Sequence, residues 1–209
     1  MHAASVGVSP QPASLLDYFD VNVTKSLTFI ENGLNNGVTK IVCIGSCLEY
    51  GKSGERYMFI PPNAPLLPTE YYGASKAAFS IGLSTIFEKY KKDFSILRPF
   101  HVYGDGQYEK NFWPQLRKAA KENRDFEMTK GEQIRDYINV QNIAKIIIAE
   151  ITKQSSLNRF EVKNIGSGSP ISMRDFAEKW WVKFKAKGKL RIGSIPYREN
   201  EIMRYVPEI

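Results

Sequence analysis

Cysteine and histidine are scarce in this chain, and they are the residue types that most often mark a metal site or a disulfide framework. The 209 residues contain two cysteines, Cys43 and Cys47, and two histidines, His2 and His101, with no CxxC pair. We therefore expect no metal site, no disulfide and a reducing, cytoplasmic setting. Both histidines are expected to pack or to make local hydrogen bonds.

Long apolar runs are also missing. None approaches the roughly 20 residues that span a bilayer, and no basic start leads into an apolar signal segment, so we expect neither a membrane partner nor secretion. The net charge of +7 fits either a lysine-rich surface or an anionic ligand such as a nucleotide. The basic cluster at 89–92 lacks the interleaved aromatic residues of a nucleic-acid groove, so no nucleic-acid partner is expected.

A further absence concerns a glycine pattern. A dinucleotide-binding fold normally opens with a strand, GxGxxG and a helix, because the glycines let phosphates approach the helix N-terminus. No GxGxxG occurs in these 209 residues. The glycine-rich "GSGSP" at 166–170 comes late in the chain and is better explained as a turn before a helix.

The chain does contain a regular alternation of helix and strand patterns. Apolar residues at three- and four-residue steps predict a helix over 13–36, with an apolar stripe of Leu16, Phe19, Val23, Leu27 and Ile30. Further helices are predicted over 70–92, over 112–123, in "QNIAKIIIAEI" and in "SMRDFAEKWWVKF". The last of these helices has Ser172 as a predicted N-cap and Asp175 at its third position.

Short apolar runs lie between these helices. The segments "KIVCIG", "FSILRPF", "RDYINV" and "FEVKNIG" are predicted strands, and the glycine- and proline-rich stretch 51–68 is a predicted loop. Strands that alternate with helices of this length indicate an α/β fold with a parallel sheet of βαβ units.

One pair of residues suggests chemistry. Tyr72 and Lys76 are four residues apart on the predicted helix 70–92, so they share one face, and the lysine charge is expected to lower the pKa of the phenol. Such a tyrosine suits general acid–base catalysis. The spacing alone is weak, because 11 tyrosines in a lysine-rich chain give roughly one YxxxK by chance, and the alternative is a solvated lysine beside a tyrosine at a helix start.

The surrounding motifs are more specific. "IGSCLEYG", a proline-rich loop, "YYGASK", "ILRPFHVYGDG", "RDYINVQNIA" and "NIGSG" follow one another between about His2 and Arg204. In this order and spacing the chain resembles the extended short-chain dehydrogenase/reductases, and in particular the NAD-dependent epimerase/dehydratase family that acts on nucleotide sugars. The resemblance implies an incomplete doubly wound, Rossmann-like parallel sheet with a small C-terminal substrate-binding lobe. The Rossmann-like portion is expected at 1–105 plus 135–165, and the lobe at 106–134 plus 166–209.

The same resemblance assigns roles to residues. Ser46, Tyr72 and Lys76 match the catalytic residues, and Lys76 would also bind the nicotinamide ribose of NAD or NADP. The other positions that match the cofactor side are Ala3, Ala4, Asn22, Pro99, Phe100 and His101. The substrate side corresponds to Ser46, Asn111, Arg135, Arg198 and Glu201. In this group the two arginines would bind the diphosphate, since guanidinium forks suit phosphate oxygens, although either could be an ordinary surface arginine.

The motif after Ser46 bears on the reaction. Cys47 and Leu48 stand where sugar dehydratases of the family carry an Asp-Glu pair, which argues against a 4,6-dehydratase. The cysteine falls one place too early for the enzymes that epimerise and reduce, and Asn111 stands where they carry histidine. The remaining options are reduction of a 4-keto-6-deoxy nucleotide sugar, which we prefer, 4-epimerisation of a nucleotide sugar, and a non-catalytic nucleotide-sugar-binding relative.

The family's first βαβ portion, with its glycine loop, has no counterpart here and would occupy at least about 30 residues. We therefore expect these 209 residues alone to bind NAD(P) weakly, to turn over poorly and to expose a sheet edge. By resemblance we also expect a homodimer that forms a four-helix bundle from the helices near 13–36 and 70–92.

Overall fold

The computed structural model describes residues 1–7, 13–199 and 201–209. The helices are α1 (Leu15–Phe19), α2 (Ser26–Asn35), α3 (Tyr71–Tyr90), α4 (Phe112–Lys121), α5 (Val140–Thr152) and α6 (Met173–Lys183). The strands are β1 (Lys40–Ile44), β2 (Asp93–Pro99), β3 (Val102–Tyr103), β4 (Phe126–Met128), β5 (Ile134–Arg135), β6 (Ile138–Asn139), β7 (Arg159–Ile165), β8 (Ile171–Ser172), β9 (Leu190–Ile192) and β10 (Arg204–Tyr205). A π-helical segment, Asp20–Lys25, joins α1 to α2, and 3-10 helices span Cys47–Glu49 and Lys52–Arg56.

The central sheet is parallel, with the strand order β1–β2–β7. His2 pairs with Cys43 of β1, donating its backbone N–H to Val42 over 2.8 Å and accepting from the Ile44 N–H over 3.0 Å. Apolar side chains of α2 and α3 cover one face of the sheet, and those of α5 cover the other. Since parallel sheets are buried on both faces, this arrangement confirms the predicted α/β class.

The predicted helix over 13–36 differs from the observed element. The chain is helical from Leu15 to Asn35, but it widens into the π-helix Asp20–Lys25. A π segment adds residues to a turn and so rotates the face of the helix that precedes it. Consequently Leu16, predicted on the apolar stripe, is exposed, whereas Ile30 beyond the π segment is buried in the core.

The prediction of one strand in "RDYINV" was wrong. Ile134–Arg135 pairs with β8 and β10 in one small sheet, and Ile138–Asn139 pairs with β3 in another. Between them the buried carboxylate of Asp136 accepts the backbone N–H groups of Ser167 and Gly168 over 2.6 and 2.9 Å. Asp136 thereby holds the glycine-rich segment 166–170, which was predicted as a turn and contains a bend at Gly168.

A separate aromatic cluster forms beyond the central sheet. It joins α4 and α6, with Trp113 and Trp180 4.5 Å apart between ring centroids and Tyr137 stacked on Phe176 at 4.0 Å. Ser172 caps α6 by accepting the Asp175 N–H over 2.9 Å, as the capping pattern predicts. The proposed division of the chain into a Rossmann-like portion and a lobe remains a prediction.

Candidate active site

Ser46 lies two residues after β1, at the carboxyl end of the central sheet, where α/β folds bind their ligands. Its hydroxyl caps the 3-10 helix Cys47–Glu49 by accepting the Leu48 N–H over 3.2 Å. Its own N–H donates to Glu49 over 2.8 Å, which completes a capping box. The buried Ser46 is therefore held on both its backbone and its side chain.

The first turn of α3 packs closely on this 3-10 helix. A Cβ at Gly73 would come within 2.5 Å of the Leu48 carbonyl oxygen, so only glycine allows the two backbones to approach this far. Tyr72 precedes this glycine, and the Ser5 and Ser46 side chains lie close enough to its phenol to lower its pKa. The structure thus brings Ser46 and Tyr72 together across two elements that are distant in sequence.

Lys76 lies one turn further along α3 and is almost completely buried. Its ammonium donates to the carbonyl of Ile44, the last residue of β1, over 2.8 Å. Burial lowers the pKa of Lys76, while the charge of Glu49 acts in the opposite direction. A buried ammonium needs such a partner, since desolvation disfavours its charged form.

The expected acidification of Tyr72 is wrong for this structure. Burial raises the pKa of Tyr72, and hydrogen bonds to Ser5 and Ser46 lower it by less. The Lys76 ammonium on the next turn does not bring the pKa below its ordinary value. Tyr72 is therefore a phenol at neutral pH.

A buried ion pair that the sequence analysis missed lies beneath Ser46. Glu49 is fully buried and accepts Nε and Nη2 of Arg98, at the end of β2, over 2.9 and 2.8 Å. Arg98 also donates to the Tyr50 hydroxyl over 2.9 Å, and Tyr50 donates to Asn164 over 2.7 Å. The only signal in the sequence was a charged residue inside each of two otherwise apolar motifs, "SCLEYG" and "SILRPF".

The predicted cofactor-side residues fall into distinct environments. Ala3 and Ala4 are exposed beside β1. Asn22 is buried in the π segment, where its Oδ1 accepts from the Val6 N–H over 2.8 Å and from Ser5 Oγ over 3.0 Å, and its Nδ2 donates to Ser75 over 2.9 Å. Asn22 thus holds the segment that carries Ser5 against α3.

In the segment after β2, Phe100 is buried, and Pro99 and His101 are partly buried. Pro99 ends β2, and Phe100 packs in the core against Tyr50 and Tyr205, with ring centroids 6.3 and 5.7 Å apart. His101 contributes to the same cavity as Arg135, and its Nδ1 is a buried atom without a partner among the described residues. Burial lowers the pKa of His101 to about 3, so this imidazole is neutral.

That cavity, of about 240 Å³, contains most of the predicted substrate residues. Arg135, Arg198 and Glu201 all line it, and Arg135 binds Glu201 over 3.2 Å and the Ile202 carbonyl over 2.5 Å. Leu48, next to the Ser46 capping box, and Glu70, at the start of α3, contribute to its wall. Two arginines therefore line one cavity, whose wall includes Leu48 and Glu70, each two residues from Ser46 or Tyr72.

Asn111 is not brought to this cavity. It precedes α4, and its backbone carbonyl accepts the Gln115 N–H over 3.2 Å. A larger open groove of about 1060 Å³ is lined only by residues of 109–127 with Arg191 and Ile195, and it carries both acidic and basic side chains. The smaller cavity is the better candidate for the active site, because Leu48 and Glu70 in its wall are near Ser46 and Tyr72 in the sequence.

Neither a metal-ligand cluster nor a membrane-spanning helix is found in the described ranges. Within residues 1–7, 13–199 and 201–209, no three His, Cys, Asp or Glu side chains come together as metal ligands. In the same part of the chain, no helix has the length and apolar character needed to cross a bilayer. Cys43 and Cys47 are both free and buried, and burial raises the pKa of each to about 12.

A parallel α/β sheet with serine, tyrosine and lysine gathered at its carboxyl end defines the Rossmann-fold short-chain dehydrogenase/reductase class. Within that class the chain belongs to the NAD dependent epimerase/dehydratase family, whose model matches residues 1–166.

Curated relatives agree with this placement. A CDP-abequose synthase of Salmonella muenchen is 28% identical over 134 residues, 63% of this chain and 45% of the relative. A UDP-glucuronate 4-epimerase of Thermodesulfobacterium geofontis is 28% identical over 179 residues, 84% of this chain and 53% of the relative. The chain thus spans about half the length of the curated relatives it matches.

Solved structures share the fold. The UDP-N-acetylglucosamine 4-epimerase of Methanobrevibacter ruminantium superimposes with a TM-score of 0.81 at 24% identity, covering 93% of this chain and 62% of that one. The UDP-glucose 4-epimerase of Thermotoga maritima superimposes with a TM-score of 0.79 at 19% identity and the same coverage. At these identities the likeness establishes the architecture alone.

The family's cofactor is NAD, and the described residues suit one end of it. Lys76 has three N–H donors, and one is taken by the Ile44 carbonyl, so the other two suit ribose hydroxyls. The glycine loop that cradles a dinucleotide diphosphate does not occur in the 209 residues. The fit therefore extends to the nicotinamide ribose only.

Proposed function

We propose that this chain carries the catalytic residues of an NAD(P)-dependent enzyme that acts at C4 of a nucleotide sugar, reducing a 4-keto-6-deoxy sugar. The observation that carries the proposal is that Ser46 acts on Tyr72, and that a cavity lined by Arg135 and Arg198 has in its wall Leu48 and Glu70, each two residues from one of this pair. A nucleoside diphosphate bound by the arginines would direct its sugar towards these two hydroxyls.

The proposed reaction assigns a role to each side chain of the site. Ser46 and Tyr72 donate hydrogen bonds to the oxygen on C4, and Tyr72 transfers its proton to that oxygen as the alcohol forms. A bound nicotinamide would supply the hydride. Lys76 binds the ribose and keeps a positive charge one turn from Tyr72, while Arg135 and Arg198 bind the diphosphate.

Tyr72 is a phenol at neutral pH, as reduction of a ketone to an alcohol requires. This protonation state does not separate reduction from 4-epimerisation, because a raised pKa makes the phenol a weaker acid. The second candidate is 4-epimerisation, in which the same tyrosine must first accept a proton. Relatives named as 4-epimerases keep this alternative open. The binding of NAD(P) by these residues alone, expected to be weak, stays a prediction.

The test removes the Tyr72 hydroxyl, which supplies the proton in the proposed reaction. Tyr72→Phe should lower kcat by about 100-fold or more, because general acid catalysis contributes roughly 10²–10⁴. Oxidation of NADH and NADPH would be followed with CDP-, UDP- and dTDP-linked 4-keto-6-deoxyglucose, using the chain alone and the chain joined to the glycine-rich N-terminal portion of a curated relative.

The neighbouring residue provides the matched control. Tyr71→Phe removes the same group from an exposed side chain and should leave kcat within about twofold. A Tyr72→Phe enzyme as active as the parent would rule out the proposed mechanism. Product identification by NMR would separate reduction from 4-epimerisation.

A further inference from the structure

The cavity that contains Arg135 and Arg198 also contains negative charge. Among the described residues its lining carries two guanidinium groups, on these arginines, and two carboxylates, on Glu70 and Glu201. The charges of the wall therefore balance, although the whole chain carries +7. An anion that enters the cavity is attracted by the arginines and repelled by the carboxylates.

Glu201 is in direct contact with one of the two arginines. Its Oε1 accepts from Nη2 of Arg135 over 3.2 Å, and the same Nη2 donates to the Ile202 carbonyl over 2.5 Å. The Arg135 side chain is 8% exposed and that of Glu201 20% exposed, so water screens the pair only weakly. A phosphate that binds Arg135 therefore comes close to a carboxylate whose charge is strongly felt.

The backbone holds this carboxylate beside the arginines. The Glu201 N–H donates to the Arg198 carbonyl over 3.2 Å, so both residues enter the cavity from one short segment. The strand β10, three residues after Glu201, pairs in parallel with β5, which carries Arg135. An anion at the arginines thus meets Glu201 as a fixed part of the same wall.

We propose that Glu201 is a specificity-determining residue, which makes this cavity reject inorganic anions and accept a nucleoside diphosphate. Both ligands offer phosphate oxygens to the arginines, and both meet the charge of Glu201. Only the nucleoside diphosphate also carries hydroxyl groups, whose hydrogen bonds a carboxylate accepts. The inference rests on the function proposed above, since it concerns the same diphosphate site.

The opposing view is that Glu201 only orients Arg135. Its removal would then weaken the binding of every phosphate ligand to a similar extent. The two views differ in the ratio of the pyrophosphate Kd to the UDP Kd, because only the proposed role makes this ratio depend on the charge of Glu201.

The test is calorimetric titration of the 209-residue chain with inorganic pyrophosphate and with UDP, at one pH and one salt concentration. Glu201→Gln keeps the size of the side chain and removes its charge. Pyrophosphate should then bind at least about tenfold more tightly, because a like charge has been removed from a shielded site. UDP should gain less, since its hydroxyl groups exchange a charged acceptor for a neutral one. The Kd ratio should therefore fall about fivefold or more.

A matched control removes one carboxylate elsewhere. Glu122→Gln breaks an exposed pair with Arg124 outside the cavity lining and should leave the ratio unchanged. Thermal unfolding with and without pyrophosphate covers the case in which Glu201→Gln is unstable by itself. An anion that takes the place of the carboxylate at Arg135 should raise the Tm of this variant more than that of the parent.

Three results would overturn the inference. They are equal affinity of the parent for both ligands, a ratio within about twofold of the parent in Glu201→Gln, and a variant that stays unfolded in pyrophosphate. A chain that binds neither ligand would remove the anion site itself. A lower ratio in a chain that reduces no keto sugar would refute the proposed function and leave the selectivity of Glu201 intact.

Discussion

At the scale of single residues, Tyr72 is governed more by burial than by the lysine on the next turn of its helix. Tyrosine and lysine four residues apart share a helix face, which sequence alone reveals. The neighbouring residues Ser5, Ser46 and Glu49 come from two other segments of the chain, and together with burial they set the direction of the pKa shift. The direction of the pKa shift inferred from spacing alone is therefore wrong here.

The cavity residue Arg135 leads to a prediction about binding. Its guanidinium is held by Glu201 and by the Ile202 carbonyl, which fixes its orientation in the cavity. Arg135→Gln should weaken binding of UDP, CDP or dTDP roughly 10- to 100-fold, because a lost charge-assisted hydrogen bond costs about 1.5–3 kcal/mol. Calorimetric titration measures this.

A second arginine controls for net charge in that experiment. Arg117→Gln, on α4 and outside the cavity lining, should leave the Kd unchanged. Equal losses in the two variants would mean that binding depends on overall charge and that no diphosphate site exists at Arg135.

At the scale of elements, the π segment Asp20–Lys25 places one amide in the interior. Asn22 bonds Ser5, Val6 and Ser75 at once, so it joins the N-terminal segment to α3. Short π segments inside α-helices occur often at functional sites. Here the consequence is that Ser5 comes close to Tyr72.

This amide leads to a stability prediction. Asn22→Ala should lower the free energy of unfolding by about 2–3 kcal/mol, because buried donors and acceptors lose their partner. Urea unfolding measures the loss. Asn32→Ala, at an exposed position on α2, should change it by less than about 0.5 kcal/mol. Similar losses at both positions would contradict the role of Asn22.

The seam between β2, β7 and α5 carries a pH-dependent charge cluster. Glu150 is buried, which by itself would raise its pKa. Hydrogen bonds from Lys163 and Ser95, each 2.7 Å, and the charge of Arg159 outweigh burial and lower the pKa from 4.5 to about 2. A carboxyl with a depressed pKa stabilises the fold above its unfolded pKa and loses that effect as pH falls.

Glu150→Gln should therefore cost about 3 kcal/mol of unfolding free energy at pH 7, given about 1.4 kcal/mol for each pKa unit. The difference from the parent should shrink as the pH falls from 4.5 towards 2. Urea unfolding at several pH values measures it, with Glu88→Gln at an exposed pair as the control. A gap independent of pH would refute the electrostatic explanation.

At the scale of the whole molecule, the outer side of α2 and α3 presents apolar side chains. Phe29 is 64% exposed and Ile81 61% exposed. These lie on the two helical regions from which we expect a four-helix bundle between two copies. The dimer remains a prediction, and the exposed pair is what supports it.

A charge on this surface should separate the copies. Phe29→Asp is expected to give a monomer, measured by size-exclusion chromatography with light scattering. Val182→Asp on α6 places the same charge at a residue that is 77% exposed and should leave the dimer intact. A monomeric parent chain, or dissociation by both substitutions, would exclude the helical interface.

Much of the fold could be predicted because its signals are local. The strand around Val42 is a continuous apolar run, and the strands around Ile96 and Val162 carry apolar residues among polar ones. The helices α3 and α6 follow the helical period with recognisable ends. The errors arose where long-range contacts intervene. The strand predicted around Asp136 was divided because that carboxylate bonds a turn some 30 residues away, and a π segment left Leu16 exposed.

By itself, the sequence determined the α/β class, the family and the identity of Ser46, Tyr72 and Lys76 as the candidates for catalysis, because these depend on residue type and spacing. Only the tertiary structure decided that Glu49 and Arg98 pair beneath them, that Tyr72 stays protonated, and that His101 joins Arg135 while Asn111 does not. Burial and through-space charge set those properties, and both arise from segments far apart in the chain.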